Sequence, residues 1–378
     1  MGKTVLFIRT NPVMPDSRVE KEVSALVAHG FEVSVLAWDR SDNYSIRKEA
    51  LNDSVKTVNT YRVGIKSPYG SGIKNLKNLV KFQTAIRHFL RTNTFDVVHA
   101  CDFDTAFTAY HTINHKKTRF VYDIFDYYAD AFNIPQCLKN IIIALDRQII
   151  NNADLTILCT EERREQIAGT SPQSLIIIHN TPDDNCISIN FNNKTIENNR
   201  RPRICYVGIL QPGRLLAELG NVLREHHELE LHIGGFGKYE EYFAKLSDEC
   251  ENVKYYGKMP YNKTLELESD CDIMLAIYDP SSRNHRYAAP NKFYEALMLG
   301  KPLIMVQNTG MASVVQENRI GCLIEYSAES LLKGIRELVA KRQTWTEIAS
   351  RERQLYNQDY SWAAMEKRLI DGYRKLFI

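Results

Sequence analysis

Along the first 180 residues, short apolar runs alternate with segments whose apolar residues recur every three or four positions. The runs at 4–10, 31–38, 96–101, 119–124, 155–159 and 175–178 are apolar on both faces. Such runs predict strands of a parallel sheet covered on both sides. Residues 55–65 predict a further extended segment with poorer alternation. Helical spacing predicts helices at 17–29, 72–91, 105–113 and 135–151. The first of these has Ser17 as its expected N-cap, with Glu20 three residues on and Gly30 as its stop. Composition then shifts: residues 181–203 hold six Asn, two Pro and few apolar side chains, as a linker does. A second alternating series follows, with strands at 203–210, 230–233, 253–256, 273–278, 303–306 and 322–326. Its helices fall at 215–226, 239–250, 262–269, 290–299, 311–318, 327–340 and 344–356. An amphipathic tail at 362–377 carries Met365, Leu369, Ile370, Tyr373, Leu376 and Phe377 and needs a surface to pack on.

The pattern predicts an α/β chain of two doubly wound, Rossmann-like domains facing each other across a cleft, with ligands beyond the carboxyl ends of the strands. The expected division is an acceptor-side domain at 1–183, a linker at 184–202 and a second domain at 203–356. Residues 357–378 form a terminal helix expected to pack back toward the first domain. A length of 378 residues agrees with two domains. A hydrophobic content of 44% and a charged content of 25% are those of a globular protein. The net charge of +2 argues against a general polyanion binder, so no nucleic-acid partner is expected. The 8 cysteines form no CxxC pair and several lie in apolar runs, which predicts free thiols in a reducing compartment. The chain opens on a strand, and no apolar run reaches the roughly 18 residues of a membrane span. A cytoplasmic location is expected.

Three loops at strand carboxyl ends carry the candidate chemistry. Gln211-Pro-Gly-Arg214 follows the strand at 203–210; Gly208 and Gly213 allow close backbone approach, and Arg214 offers a bidentate contact to a pyrophosphate. Gly234, Gly235, Phe236 and Gly237 form a second loop of low bulk. Residues 289–302 form the third, a short helix opening near Pro290 and stopped by Gly300. A helix N-terminus attracts anions, whereas Lys292 in its first turn opposes the helix dipole unless a phosphate shares the site. Glu295, one turn on, can accept hydrogen bonds from sugar hydroxyls. The plainer reading is a surface Lys–Glu pair at i, i+3.

The order of these motifs resembles the nucleotide-binding half of GT-B glycosyltransferases of family 4, a retaining group. The matching pieces are Tyr206-Val-Gly208 with Arg214, Gly235-Phe-Gly237, Tyr256-Gly257, and the run from Pro290 to Glu295 continuing through Gly300-Lys-Pro302. The first half matches at Asp16-Ser-Arg18, Gly30-Phe-Glu-Val33, Phe95-Asp-Val-Val-His99 with Asp102, Tyr122 to Tyr128, Ala153-Asp154 and His179-Asn180. Tyr360-Ser-Trp362 matches near the end, so the resemblance covers nearly the whole chain. It implies transfer of a hexose-type sugar from a UDP- or GDP-sugar to a glycan or lipid-linked acceptor in surface polysaccharide assembly, with retention and without a metal. Arg214 and Lys292 would hold the donor diphosphate, Glu295 the ribose, and the backbone at Lys258 and Met259 the base. Asp102-Phe-Asp104 has the look of a metal-binding pair but lies in the other half.

The sequence departs from the family where Tyr287 stands in place of a Glu expected at the transferred sugar. Asn291, Arg286 and His285 become the candidates there. His99 and Asp126 could line the acceptor side, or serve as hydrogen-bonding residues at strand ends; an Asp126 base would invert the anomeric configuration. Lys74, Lys77 and Lys81, with His88 and Arg91, lie near one face of the helix at 72–91, against Ile73, Leu76, Val80, Ile86 and Phe89. Family members rest such a helix on anionic membrane, here the inner face of the plasma membrane; the alternative is a solvated face. Two other functions stay open, a nucleotide-sugar 2-epimerase and a nucleotide-sugar-binding protein with impaired catalysis.

Overall fold

The apolar runs of the first half pair into one sheet, in a computed structural model that describes residues 2–51, 58–68, 75–132, 135–182 and 200–378. Its elements are β1 (Thr4–Arg9), α1 (Ser17–Ala28), β2 (Glu32–Asp39), β3 (Tyr44–Ala50), β4 (Asn59–Gly64), α2 (Leu76–Thr92) and β5 (Val97–Cys101). There follow α3 (Phe103–Tyr110), β6 (Arg119–Ile124), α4 (Tyr128–Ala131), α5 (Gln136–Asn152), β7 (Leu155–Leu158) and β8 (Leu175–Ile177). The strand order is β3-β4-β2-β1-β5-β6-β7-β8, parallel except for β3. That antiparallel edge strand is absent from the sequence expectation. Six of its seven residues are exposed, so it has no buried face to impose an alternation. Residues 52–57, at the start of the segment expected at 55–65, lie outside the described residues; its strand begins at Asn59.

The start of α1 also differs from expectation. Asp16, not Ser17, is the N-cap: its carboxylate accepts the Val19 N–H at 3.4 Å, while Glu20 Oε1 accepts the Asp16 N–H at 2.9 Å. Asp16 is also fixed from outside the helix by Arg9 Nε at 3.0 Å and Asn11 Nδ2 at 2.7 Å. Those contacts, from the end of β1 and the loop after it, choose between two good capping residues.

The second series forms β9 (Arg203–Ile209), α6 (Leu216–Glu225), β10 (Glu230–Phe236), α7 (Glu240–Glu249), β11 (Val253–Tyr255), α8 (Tyr261–Asp270) and β12 (Ile273–Ala276). It continues with α9 (Asn291–Leu299), β13 (Leu303–Val306), α10 (Ala312–Asn318), β14 (Gly321–Ile324), α11 (Ala328–Ala340), α12 (Trp345–Leu355) and α13 (Trp362–Lys375). The sheet order is β11-β10-β9-β12-β13-β14, all parallel. The strand order reverses beside β9 and β12, so the loops after these two strands are the natural ligand-facing ones.

The chain divides into two compact units, Met1–His179 with Met365–Ile378, and Asn180–Ala364. The linker expected at 184–202 falls mostly outside the described residues. In the first unit, Met365, Leu369, Ile370, Tyr373 and Leu376 are buried. Five such side chains withdraw enough apolar surface to hold α13, at roughly 1.5–3 kcal/mol each.

Candidate functional site

The second unit gathers its candidates at one edge of its sheet. Two close approaches fix that edge. A Cβ on Gly235, at φ 127°, would fall 1.8 Å from the Gly208 carbonyl oxygen, so β9 and β10 meet there only because a hydrogen stands in that place. A Cβ on Gly208, at φ 155°, would fall 2.5 Å from Lys292 Nζ, so Gly208 makes the space the ammonium fills. The next loop is tied across the sheet, because the Asp279 N–H donates to the Gly213 carbonyl at 3.0 Å. Gly237 closes the loop after β10, its N–H donating to Glu240 Oε1 at 2.7 Å.

Arg214 lies flat on Tyr278, its guanidinium carbon 3.5 Å from the ring centroid. His285 stands edge-on to the same ring at 5.1 Å and bonds through Nδ1 to the Asp279 carbonyl at 2.9 Å. Arg214 Nη1 is buried with no hydrogen-bond partner among the described residues. Lys292 turns inward from the first turn of α9, its Nζ 4.6 Å from the Tyr206 ring centroid. Burial pulls its pKa down, but Tyr206, Tyr278, Glu295 and Glu268 outweigh this and the net direction is up, so it is a cation. Pro290 caps α9 without a side-chain bond, and Gly300 ends it in the left-handed region at φ 67°. Glu295 is buried, and the Tyr261 hydroxyl donates to its Oε1 at 3.0 Å. The plain surface Lys–Glu pair is therefore not what α9 presents: both side chains turn into the unit.

The remaining candidates of this unit lie around that pair. Lys258 is exposed, with Nζ 5.3 Å from the Phe236 ring centroid. Met259 is half-buried against Gly234, its Cε 3.1 Å from where a Cβ would stand. Asn291 accepts from Asn180 Nδ2 at 3.0 Å, and Arg286 is exposed with Nε on the Pro280 carbonyl at 3.3 Å. Tyr206 enters the sequence reading only within a family match, and Tyr278 and Tyr261 carry no role in it. The available signal was aromatic residues at strand ends beside glycines and at a helix start.

The first unit places its candidates differently. His99 is fully buried and stacks on Phe7 with centroids 4.0 Å apart, so it lines no surface. Its Nδ1 is 2.7 Å from the Tyr373 hydroxyl and its Nε2 is 3.5 Å from Asp123 Oδ2. Burial lowers its pKa, and the Asp123 bond offsets only part of that. The ligand atoms of Glu22, His99 and Asp123 lie within 4.8 Å of one another. Arg18 already occupies that cluster, with Nη2 2.8 Å from Asp123 Oδ1 and Nε 3.1 Å from Glu22 Oε1, and a buried guanidinium there opposes a second cation. Burial and Asp123 hold the Glu22 carboxyl well above the usual range, while Arg18 and His99 overcome burial and hold Asp123 below it. Asp126 accepts from Arg163 Nη2 at 2.8 Å and keeps about half of its side chain exposed, at 54%. Asp102 is engaged by Arg9 and accepts the Phe125 and Asp126 N–H groups at 2.9 and 3.2 Å, the filled donor set of a structural carboxylate. Burial and Asp102 push Asp104 up to about 6.

A family profile described as Glycosyl transferases group 1 matches residues 188–355, and one described as Glycosyltransferase Family 4 matches residues 18–185. The chain belongs to the family 4, group 1 glycosyltransferases. No curated protein matches it in sequence. Among solved structures, this glycosyltransferase resembles sucrose-phosphate synthase from Thermosynechococcus elongatus at a TM-score of 0.76 and 14% identity, over 99% of both chains. It resembles Anabaena HepE, solved with UDP and glucose, at a TM-score of 0.68 and 14% identity, over 99% of this chain and 100% of that one. It also resembles a variant of S. aureus TarM, solved with fondaparinux, α-GlcNAc-glycerol and UDP, at 0.67 and 12% over 99% of both chains. At these identities the likeness is one of fold, and the fold is GT-B.

Proposed function

We propose that this glycosyltransferase moves a hexose-type sugar from a nucleoside diphosphate sugar to a glycan or lipid-linked acceptor in surface polysaccharide assembly. The observation that carries the reading is the pairing of two cations at one sheet edge. Arg214 and Lys292 form no ion pair with a carboxylate among the described residues, and Arg214 Nη1 is buried without a partner. A buried, unpaired N–H on one cation, beside a second cation that its surroundings keep charged, calls for an anion. A diphosphate supplies it, and the charge that grows on the leaving diphosphate makes these contacts strongest in the transition state. Neighbours solved with UDP, one with glucose and one with fondaparinux and α-GlcNAc-glycerol, support that choice of ligand.

In the proposed reaction the bond from the anomeric carbon to the phosphate oxygen breaks with its electrons going to the diphosphate. The acceptor oxygen bonds to that carbon on the same face. The acceptor's proton passes to the departing phosphate oxygen, so no dedicated base is required. Glu295 accepts from the ribose hydroxyls, the backbone at Lys258 and Met259 meets the base, and no metal is required. Arg286, His285 and Asn291 are the groups proposed for the sugar, where Tyr287 stands in place of a carboxylate.

Nucleoside diphosphate release across a panel of UDP- and GDP-sugars, with and without glycan and lipid-linked oligosaccharide, tests this directly. Acceptor-dependent release with the anomeric configuration kept is the expected result. Epimerised donor without acceptor, or a raised Tm without turnover, would replace transfer by one of the other two functions.

We also propose that α2 rests on anionic membrane. Its buried residues are Phe82, Ile86 and Phe89, whereas Leu76 and Val80 are 58% and 50% exposed, next to Lys77 and Lys81 on the open arc. This differs from the sequence expectation, which sets Leu76 and Val80 on the apolar side away from the lysines; Lys74 lies outside the described residues. Apolar side chains to insert and cations for headgroups then share one surface. No helix among the described residues is long and apolar enough to cross a membrane. K77E with K81E should weaken co-sedimentation with phosphatidylglycerol vesicles by about tenfold or more, at about 1 kcal/mol per charge removed. Unchanged sedimentation would leave α2 a solvated helix.

A further inference from the structure

Glu268 is the one charged-type residue of α8 that the sheet and α9 enclose completely. It is 0% exposed, and neither carboxyl oxygen has a hydrogen-bond partner among the described residues. Helical spacing puts Tyr261, Leu265 and Glu268 on one face of α8. That face is turned to α9, because Tyr261 reaches Glu295, and α8 packs on both α9 and β9. The titratable groups around the Glu268 carboxyl are Lys292 and Glu295 from α9, Cys205 from β9, and Cys271 and Tyr261 from its own helix and end. Lys292 is the only cation acting on it among the described residues. The nearby Lys301 ammonium is taken up by the Ser269 and Cys271 carbonyls at 2.6 and 2.7 Å.

Among the described residues, the charges around Glu268 are one ammonium, Lys292, and two carboxyls, its own and that of Glu295. This set is neutral only when one carboxyl keeps a proton, and an unbalanced buried charge is strongly unfavourable. Glu295 accepts the Tyr261 hydroxyl at 3.0 Å, a contact suited to an acceptor carboxylate. Glu268 receives no donor, so the proton belongs there. Burial, then Glu295, push its pKa well above the usual carboxylate range, with only Lys292 opposing.

We propose that Glu268 is a positioning residue for the donor: it keeps its proton while a nucleoside diphosphate occupies the site, so that the Lys292 ammonium faces phosphate instead of a buried carboxylate. The inference rests on the donor-site reading given above. An ionised Glu268 pulls Lys292 down and adds negative charge beneath the diphosphate. Binding therefore opposes its ionisation, and once the free protein has lost that proton, each nucleotide bound draws one back from solvent.

Calorimetric titration with UDP and with GDP from pH 7.5 to 9.5, in buffers of different ionisation enthalpy, reads this out. For the unaltered protein, proton uptake should approach one per nucleotide as pH rises, with affinity falling by up to about tenfold per pH unit, as one linked proton requires. E268Q, a fixed mimic of the protonated form, should bind as the unaltered protein does at pH 7.5, with no uptake and no fall. Binding by the unaltered protein without proton uptake would overturn the proposal, and needs no variant to fold. So would an E268Q that keeps the same pH dependence, or one with an unchanged Tm that binds more than fivefold weaker at pH 7.5. If neither nucleotide binds the unaltered protein at any pH, the donor site itself is wrong and the inference goes with it.

Discussion

Lys292→Ala should lower kcat/KM for sugar transfer on the order of a thousand-fold, the upper range for removing one preorganised donor to a developing anion. Lys292 has the geometry for so large an effect. Its Nζ is held between the Tyr206 ring and the bare backbone of Gly208, in a pocket that keeps it charged. A fixed cation in a partly dry site needs no reorganisation when charge arrives, and its interaction is weakly screened. Lys292→Arg should not restore the rate, because the planar guanidinium is wider than an ammonium that already sits 2.5 Å from the Cβ position of Gly208. Steady-state nucleoside diphosphate release for the two variants, with a matching loss in Arg214→Ala, checks both statements. Turnover within tenfold of the unaltered enzyme would remove Lys292 from the site.

Asp123→Ala should destabilise the first unit by about 3–5 kcal/mol, the range for breaking a buried ion pair from one side. Asp123 accepts Arg18 Nη2 at 2.8 Å and Nε at 3.3 Å, with both side chains at or below 3% exposure. Without the carboxylate, Arg18 keeps, among the described residues, the Ile178 carbonyl, the face of Phe125 and a Glu22 that burial drives toward its neutral form. His99 Nε2 loses the carboxylate 3.5 Å away as well, while its Nδ1 stays tied to Tyr373 of α13. Two-domain chains do not unfold in one step as a rule, so the measurement is the first of the urea transitions. A midpoint unmoved by the substitution would mean that the cluster bears no weight in the fold.

Glu268 and His99 show where local sequence reading stops. Both were legible as single letters on periodic elements. His99 sits at a strand end, where a ligand-facing role and a structural one look alike; its partner Tyr373 is 274 positions away. Glu268 reads as a polar residue on an ordinary helix, since nothing nearby in the chain announces that α9 and β9 will cover it. Glu295 differs again: its spacing from Lys292 was plain, but the Tyr261 hydroxyl that orients it comes from 34 positions upstream.

The sequence by itself determined the two alternating series, most of the strands and helices, the three loops at strand carboxyl ends of the second half, and the family. These are local properties: apolar runs, periods of two or 3.6, and Gly or Pro at fixed offsets all repeat within a dozen residues. Tertiary structure alone decided the exposed edge strand β3, the burial of His99 and the uncovered stripe of α2. Among the described residues, it alone left Arg214 Nη1 without a partner, set Lys292 against Gly208 and enclosed Glu268 without a donor. Each of these depends on whether residues far apart in the chain come to share a surface, and burial and hydrogen bonding there fix the charge that each group carries.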